Sequence, residues 1–170
     1  TTYSVEGEEI WRQTSAFLGQ GAKFTKDTPR QVKTRPEAER FLDFPGDEAG
    51  TPTATLRFSA ESTRVYAAAS GDKNPIHVSA VGAKLFGFPA PIAHGMYTHA
   101  RMLSVLDGTL PGAVRISADF YKPVILPAST GVFVAPSVAT NSEIGARTVA
   151  LRKAKDPSSL HVACRVEPVD

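Results

Sequence analysis

Between Thr53 and Val166 the apolar positions change period repeatedly, and each change marks an element. Ala54, Leu56 and Phe58 alternate with Thr55 and Arg57, which predicts a strand. Ser59 stands where a helix N-cap is expected and Glu61 falls in the first turn. A helix is therefore predicted over residues 60–69, with Val65, Tyr66 and Ala69 as its apolar side. Ser70-Gly71 stops it. Asn74-Pro75 predicts a turn, residues 79–86 a short helix closed by Gly87, and Phe88, Pro89 and Pro91 a stiff extended passage. Over residues 95–106, Met96, His99, Ala100, Leu103 and Leu106 recur at three- and four-residue spacing, which predicts a buried helix ended by Asp107-Gly108.

After Pro111 the period falls to two. Val114, Ile116, Ala118 and Phe120 oppose Arg115, Ser117, Asp119 and Tyr121, and further strands are predicted over 130–139, 144–153 and 160–166. The connections are short and hold no crossover helix, so the strands are expected to have antiparallel neighbours. One long helix, a strand before it and antiparallel strands after it predict an α+β domain whose sheet wraps a central helix. Twelve helical residues rise about 18 Å, close to the length of a strand of five or six residues. The outer strands and the loops of residues 70–94 are then the natural surfaces for a partner domain or subunit.

The N-terminal third reads differently. Residues 9–18 alternate as a single strand, mixed on both faces and in need of a partner. Residues 19–50 are rich in Gly, Pro and charge, which predicts a linker or arm, with a short helix over 36–42. The expected division is thus residues 1–50 as strand and linker, and 51–170 as the domain.

Composition narrows the class. With 42% hydrophobic and 21% charged residues the chain falls among ordinary globular proteins. A formal charge of +2, with basic and acidic residues interleaved, argues against a nucleic-acid partner. No apolar run is long enough for a transmembrane helix and no signal-peptide pattern opens the chain. The single Cys164, in an alternating strand, is read as a structural thiol and fits a reducing, cytoplasmic setting.

Chemistry concentrates in residues 66–95. Asp72, Asn74 and His77 lie within six residues, in polar turn sequence between two helical runs. An acid and an imidazole at that spacing can divide proton transfers and aim at one water. Asn74 reads either as an orienting group or as an Asx-type turn before Pro75. Gly95 enters the long helix, where unpaired amides favour developing negative charge; simple clearance explains that glycine equally well. His94 either points at a ligand or caps the helix. His99, about 140° further round, reads as a core histidine. Asp72, His77 and His94 match no closed metal-ligand spacing, and no metal or cofactor is expected. Neither a GxSxG elbow nor a phosphate-binding glycine loop is present.

The run Tyr66-Ala-Ala-Ala-Ser70-Gly71-Asp72-Lys-Asn74-Pro75-Ile76-His77, followed by Pro91-Ile-Ala-His94-Gly95-Met96, resembles the hydratase-2 signature of the MaoC-like dehydratases, and the resemblance extends over residues 53–167. It implies a hotdog fold and a hydro-lyase acting on trans-2-enoyl and (3R)-3-hydroxyacyl thioesters of CoA or acyl carrier protein. It also implies Asp72 and His77 as the catalytic pair, Asn74 as a supporting residue and Gly95 as the oxyanion-hole amide. Within the family, residues 1–50 look like the closing strand and linker of a preceding hotdog unit; a homodimer with a wrapping N-terminal arm is the rival arrangement. A hotdog thioesterase would share fold and ligand without needing the Gly-Asp-x-Asn-Pro-x-His run. A non-catalytic acyl-thioester-binding module is at odds with the intact Asp72 and His77.

Overall fold

The computed structural model of the chain describes residues 1–13, 26–27, 50–136 and 146–169. The expected helix over 36–42, the C-terminal part of the strand expected over 9–18, and nearly all of the expected linker lie outside these residues. The chain divides into two compact units, Thr1–Ala38 and Glu39–Asp170.

In the first unit β1 (Thr2–Val5) pairs antiparallel with β2 (Glu8–Arg12). Glu6 and Gly7, at φ 52° and 86°, form the two-residue turn, the backbone shape whose twist suits a tight hairpin. Tyr3 faces Trp11 across the pair with ring centroids 5.2 Å apart. The strand expected from residue 9 is therefore one arm of a hairpin. Its partner is too short to show a period in the sequence.

The second unit holds β3 (Ala54–Phe58), α1 (Ala60–Ser70), α2 (Pro75–Val78), α3 (Ala80–Leu85), α4 (Gly95–Leu103), β4 (Val114–Phe120), β5 (Ala128–Pro136), β6 (Arg147–Lys153) and β7 (Asp156–Pro168). A 3-10 turn over Ser104–Leu106 tightens the end of α4. The five strands form one antiparallel sheet in the order β3-β5-β6-β7-β4. Tyr97, Met102 and Leu106 pack with Leu56, Phe58, Val132, Val149, Leu151, Val162, Cys164 and Val166 in one buried cluster. The sheet thus closes around α4, the expected α+β arrangement. Among the described residues no helix is long and apolar enough to cross a membrane.

Three expectations need correction. First, β4 and β5 are not neighbours, although only residues 121–127 join them; β4 lies at the far edge, beyond β7. Seven extended residues reach about 23 Å, enough to pass three inter-strand spacings of about 4.8 Å. This strap is pinned on its way. Tyr121 N–H donates to the His161 carbonyl, Ala93 N–H to the Val124 carbonyl and Leu126 N–H to the Pro91 carbonyl.

Second, the helix over 95–106 was expected to bury Met96, His99, Ala100, Leu103 and Leu106. It buries Tyr97, Thr98, Met102 and Leu106, whereas Met96 is 58% exposed. The period was right and Leu106 is buried as expected, but Tyr97 and Met102 take the core side while Met96 lines the cleft. Third, the buried stripe of α1 is Thr63 and Ala67, with Tyr66 half-buried beside them. Val65 is exposed, since a helix resting on a core through a narrow stripe leaves its flanks in water.

The local stop signals hold as read. Ser59 accepts the Ser62 amide in a capping box, and Gly71 ends α1 at φ 78°, a conformation costly for any residue with a Cβ. Ser79 caps α3 by accepting the Gly82 amide. Gly82 is held by contact rather than by φ. A Cβ there would lie 2.5 Å from Pro75 Cβ and 2.8 Å from the Pro75 carbonyl oxygen. The close crossing of α2 and α3 therefore requires a glycine. Gly82→Ala must push backbone apart, and the expected loss of stability is about 1–3 kcal/mol, the usual range for overpacking. Urea unfolding measures it, and an unchanged midpoint would contradict the tight crossing.

Candidate active site

The site is built from the turn between α1 and α2, from α2 itself, and from the extended passage into α4. Gly71 turns the chain out of α1, and Asp72 then folds back on itself. Its Oδ1 accepts the Asn74 amide at 3.1 Å, and Asn74 Oδ1 accepts the Ile76 amide at 3.3 Å. Asn74 is thus the N-cap of α2, with Pro75 in the first turn. The two nested side-chain turns place Asp72 at the surface and carry His77 inward, to 9% exposure.

His77 Nδ1 lies 2.8 Å from the Ile92 carbonyl oxygen. A carbonyl can only accept, so Nδ1 carries the proton and Nε2 presents a lone pair. That Nε2 stands 4.0 Å from Asp72 Oδ2. The gap is too long for a direct hydrogen bond and suits one water touching both groups. Burial holds the His77 pKa below the usual imidazole value; the Ile92 carbonyl opposes this, His94 adds to it and Asp72 opposes it. Near neutral pH the ring is therefore an uncharged base.

His94 neither caps α4 through its side chain nor points away. It is 2% exposed, and its Nε2–H donates to the Asp72 carbonyl at 2.9 Å. Its ring stacks on His77 with centroids 3.8 Å apart and contacts Tyr66, which in turn stacks on Tyr97. A column of four rings thus runs from the core to the acid–imidazole pair. Sequence reasoning missed Tyr66 and the Ile92 carbonyl as parts of this support. Tyr66 opens the motif run, which is the one signal that could have found it; the Ile92 contact leaves none.

The structure also brings Asp72, His77 and His94 together, with ligand-type atoms within 4.8 Å of one another. His94 Nε2 carries the proton given to Asp72 and offers no lone pair there. Two donors remain, too few for a closed site. The arrangement suits proton transfer better than metal binding.

Gly95 begins α4, and its N–H has no intrahelical acceptor. It opens on a cleft of about 410 Å³ lined by Tyr66, Asp72, His94, Gly95, Met96 and Phe120. A Cβ on Gly95 would sit 3.3 Å from Phe120 Cε1. Gly95 is thus both a close approach to Phe120 and the first residue of the helix. The wall of the cleft does not include His77, which meets it only by way of the Asp72 carboxylate. Asp72 and Gly95 thus share the cleft at the start of α4, His77 meets Asp72 behind it, and Asn74 bonds only within its own turn. His99 and Cys164 stand apart from them. They lie 3.7 Å from each other on the sheet side of the helix, and burial pushes the thiol up to about 11. Cys164 is a structural thiol.

An antiparallel sheet wrapped on a helix, with an acid–imidazole pair near that helix's N-terminus, is the hotdog architecture. The chain belongs to the MaoC-like domain family, whose pattern matches residues 25–155. It is 41% identical over 135 residues to the 3-hydroxyacyl-thioester dehydratase X of Mycobacterium tuberculosis, a match over 79% of this chain and 45% of that protein. It is 32% identical over 104 residues to the (R)-specific enoyl-CoA hydratase of Aeromonas caviae, covering 61% of this chain and 72% of that one. In structure it resembles HtdX of Mycobacterium tuberculosis with a TM-score of 0.63 and 41% identity, over 70% of this chain and 48% of that chain. The chain thus spans about half the length of these mycobacterial relatives.

The lowered pKa of His77 makes folding pH-dependent with a definite sign. Below the ordinary imidazole value near 6.5 the unfolded chain binds a proton that the folded site resists, so stability falls as pH drops through that value. His99 and His161 are shifted the same way, also by burial first. Thermal melts between about pH 8 and pH 5 are expected to show Tm falling on the acid side. His77→Gln is expected to flatten that slope, and an unchanged slope would contradict the buried neutral ring.

Proposed function

We propose that the chain hydrates trans-2-enoyl thioesters reversibly to (3R)-3-hydroxyacyl thioesters. The observation that carries this reading is the pairing of Asp72 Oδ2 with the open Nε2 of His77 at 4.0 Å. The names of the relatives agree with it.

In hydration, a water held between the two groups gives a proton to His77 Nε2 while its oxygen bonds to C3. The C2–C3 double bond electrons move toward the thioester carbonyl, and the Gly95 amide at the start of α4 stabilises that oxygen. C2 then takes a proton from the Asp72–His77 pair, so one H and one OH are added overall and the pair returns to its first state. Dehydration is the reverse. His77 is suited to begin because the Ile92 carbonyl fixes its tautomer and burial keeps it uncharged. Asn74 supports the reaction by turning the chain so that acid and base face one another. His94 positions rather than reacts, since its proton is given to the Asp72 backbone and its face to His77.

The same reading gives the domain arrangement. Residues 51–170 form the catalytic hotdog, and residues 1–50 lead toward a second hotdog. That second unit comes from another part of a longer chain or from a second copy. Phe120, 51% exposed on the edge strand β4 and lining the cleft, is the side chain such a partner would cover.

Loss of the enoyl-thioester absorbance of crotonyl-CoA, with (3R)-3-hydroxybutyryl-CoA as product, is the expected result for the purified chain. Asp72→Asn and His77→Gln are each expected to lower kcat by about 10²–10⁴, the usual span for a lost proton-transfer group. Free thiol without hydroxyacyl product would point to a thioesterase instead. Silence with longer enoyl-CoAs, and with a chain extended at its N-terminus, would overturn the assignment.

A pair of variants isolates the oxyanion amide. His94 already has the extended backbone, φ −60° and ψ 136°, that precedes a proline comfortably, and Gly95 is at a helix start where proline fits. Gly95→Pro and Gly95→Ala bring the same Cβ toward Phe120, but only the proline removes the N–H. Proline is expected to cost about 10²–10³ more in kcat than alanine. Equal losses would assign Gly95 to clearance alone.

A further inference from the structure

A second cavity, of about 570 Å³, is lined along the 121–127 strap by Lys122, Pro123, Ile125 and Pro127, and none of Asp72, His77 or Gly95 belongs to its wall. Lys122, Lys153 and Lys155 line it, drawn from the strap, the end of β6 and the β6–β7 turn. Among the described residues none of these ammonium groups has a carboxylate within ion-pair distance. Three unneutralised cations facing one concavity repel each other, and an anion would relieve that repulsion. His161 forms part of the wall, is 7% exposed, and gives its Nδ1–H to the Lys122 carbonyl at 3.0 Å. The backbone bearing Lys122 is therefore fixed rather than loose. Burial lowers the His161 pKa, the bond to the Lys122 carbonyl opposes this, and the nearby Lys122 and Lys153 charges add to the lowering. Pro123 and Pro127 supply an apolar wall beside the lysines.

We propose that this groove binds the phosphorylated adenosine head of CoA, with Lys122, Lys153 and Lys155 on its phosphates and the prolines against its base. The inference rests on the enoyl-thioester reading and names the carrier of the acyl group. Its volume lies in the range of small-ligand pockets, roughly 300–1,000 Å³, and a mixed apolar and cationic concavity suits a nucleotide better than the broad surface of an acidic carrier protein. The strap supplies the connection to the chemistry. Phe120 lines the catalytic cleft and Lys122 the groove, while Val124 receives the amide of Ala93, the residue before His94.

The test begins with binding, so that it does not depend on turnover. Calorimetry with CoA and with adenosine 3′,5′-bisphosphate is run on the 170-residue chain and on Lys122→Gln, Lys153→Gln and Lys155→Gln, with Lys84→Gln as a control outside the groove. Thermal melts check that each variant is folded. Each groove variant is expected to weaken both ligands about tenfold, the scale of one charge-assisted contact, and the control to leave them unchanged. In turnover, KM for crotonyl-CoA is expected to rise by the same factor at constant kcat. The crotonyl thioester of N-acetylcysteamine, which lacks the nucleotide, should be indifferent to all three changes. Unchanged binding in the groove variants, or equal effects on both thioesters, overturns the site. Lysine changes that weaken only an acyl-carrier-protein substrate would assign the groove to a carrier protein and overturn the CoA proposal. A wild type that binds CoA through these lysines yet hydrates neither thioester would leave the groove standing and remove the enzyme reading.

Discussion

The hydrogen bond from His77 Nδ1–H to the Ile92 carbonyl is the interaction on which the rest of the site depends. It fixes which nitrogen of a buried imidazole can act as base. It also ties the polar turn after α1 to the extended passage before α4. That passage is pinned in turn, by the Ile92–Ile125 bridge and by the Ala93 amide on Val124. One short contact therefore couples the Asp72–His77 turn, the entry to the central helix and the strap that crosses the end of the sheet. Replacing the carbonyl by water would leave the tautomer free and His77 aimed at nothing in particular.

The ring column gives that contact its rigidity. Tyr97 sits in the core against Phe58, Tyr66 stacks on Tyr97, and His94 and His77 complete the series. Each ring has only two soft torsions and is flanked by others, so its orientation is set by packing. Asp72 is the exception. It is half-exposed and gains its direction from short-range hydrogen bonds alone. His77 is held by the core and Asp72 by a turn, so the imidazole is fixed in place while the carboxylate stays open to solvent.

How much of this was legible depended on whether the cause was local. Ser59 and Gly71 were read correctly because caps and stops are decided within four residues, whereas Asn74 kept two readings and Ser79 proved to be a cap rather than the first residue of its helix. The period of α4 was legible, but its face was not. Met96 and Tyr97 are both large and apolar, and only the position of the sheet decides which one is buried. The strand order failed for the same reason. A link of seven residues reads as a hairpin until one sees that Ile125 and Leu126 bond to the passage before α4. Asp72, His77 and Gly95 were visible as a motif. The part of His94, whose proton goes to a carbonyl 22 residues away, was not. The cationic groove gathers residues from 122 to 161, and nothing in their spacing announces it.

The strand order also bears on when the site comes into being. β5, β6 and β7 form a local meander, whereas β3 reaches β5 across more than 70 residues, as in the pairing of Ala54 with Val132. β4 closes the opposite edge on β7 from nearly 50 residues away, Ala118 facing Cys164. Closing long loops is entropically slow, so the meander is the natural nucleus and the two edges dock afterwards. The whole segment that bears Asp72 and His77 lies between β3 and β4. His77 leans on the Ile92 carbonyl and that passage on the strap leaving β4, so a chain that holds only the meander lacks the partners that fix this imidazole.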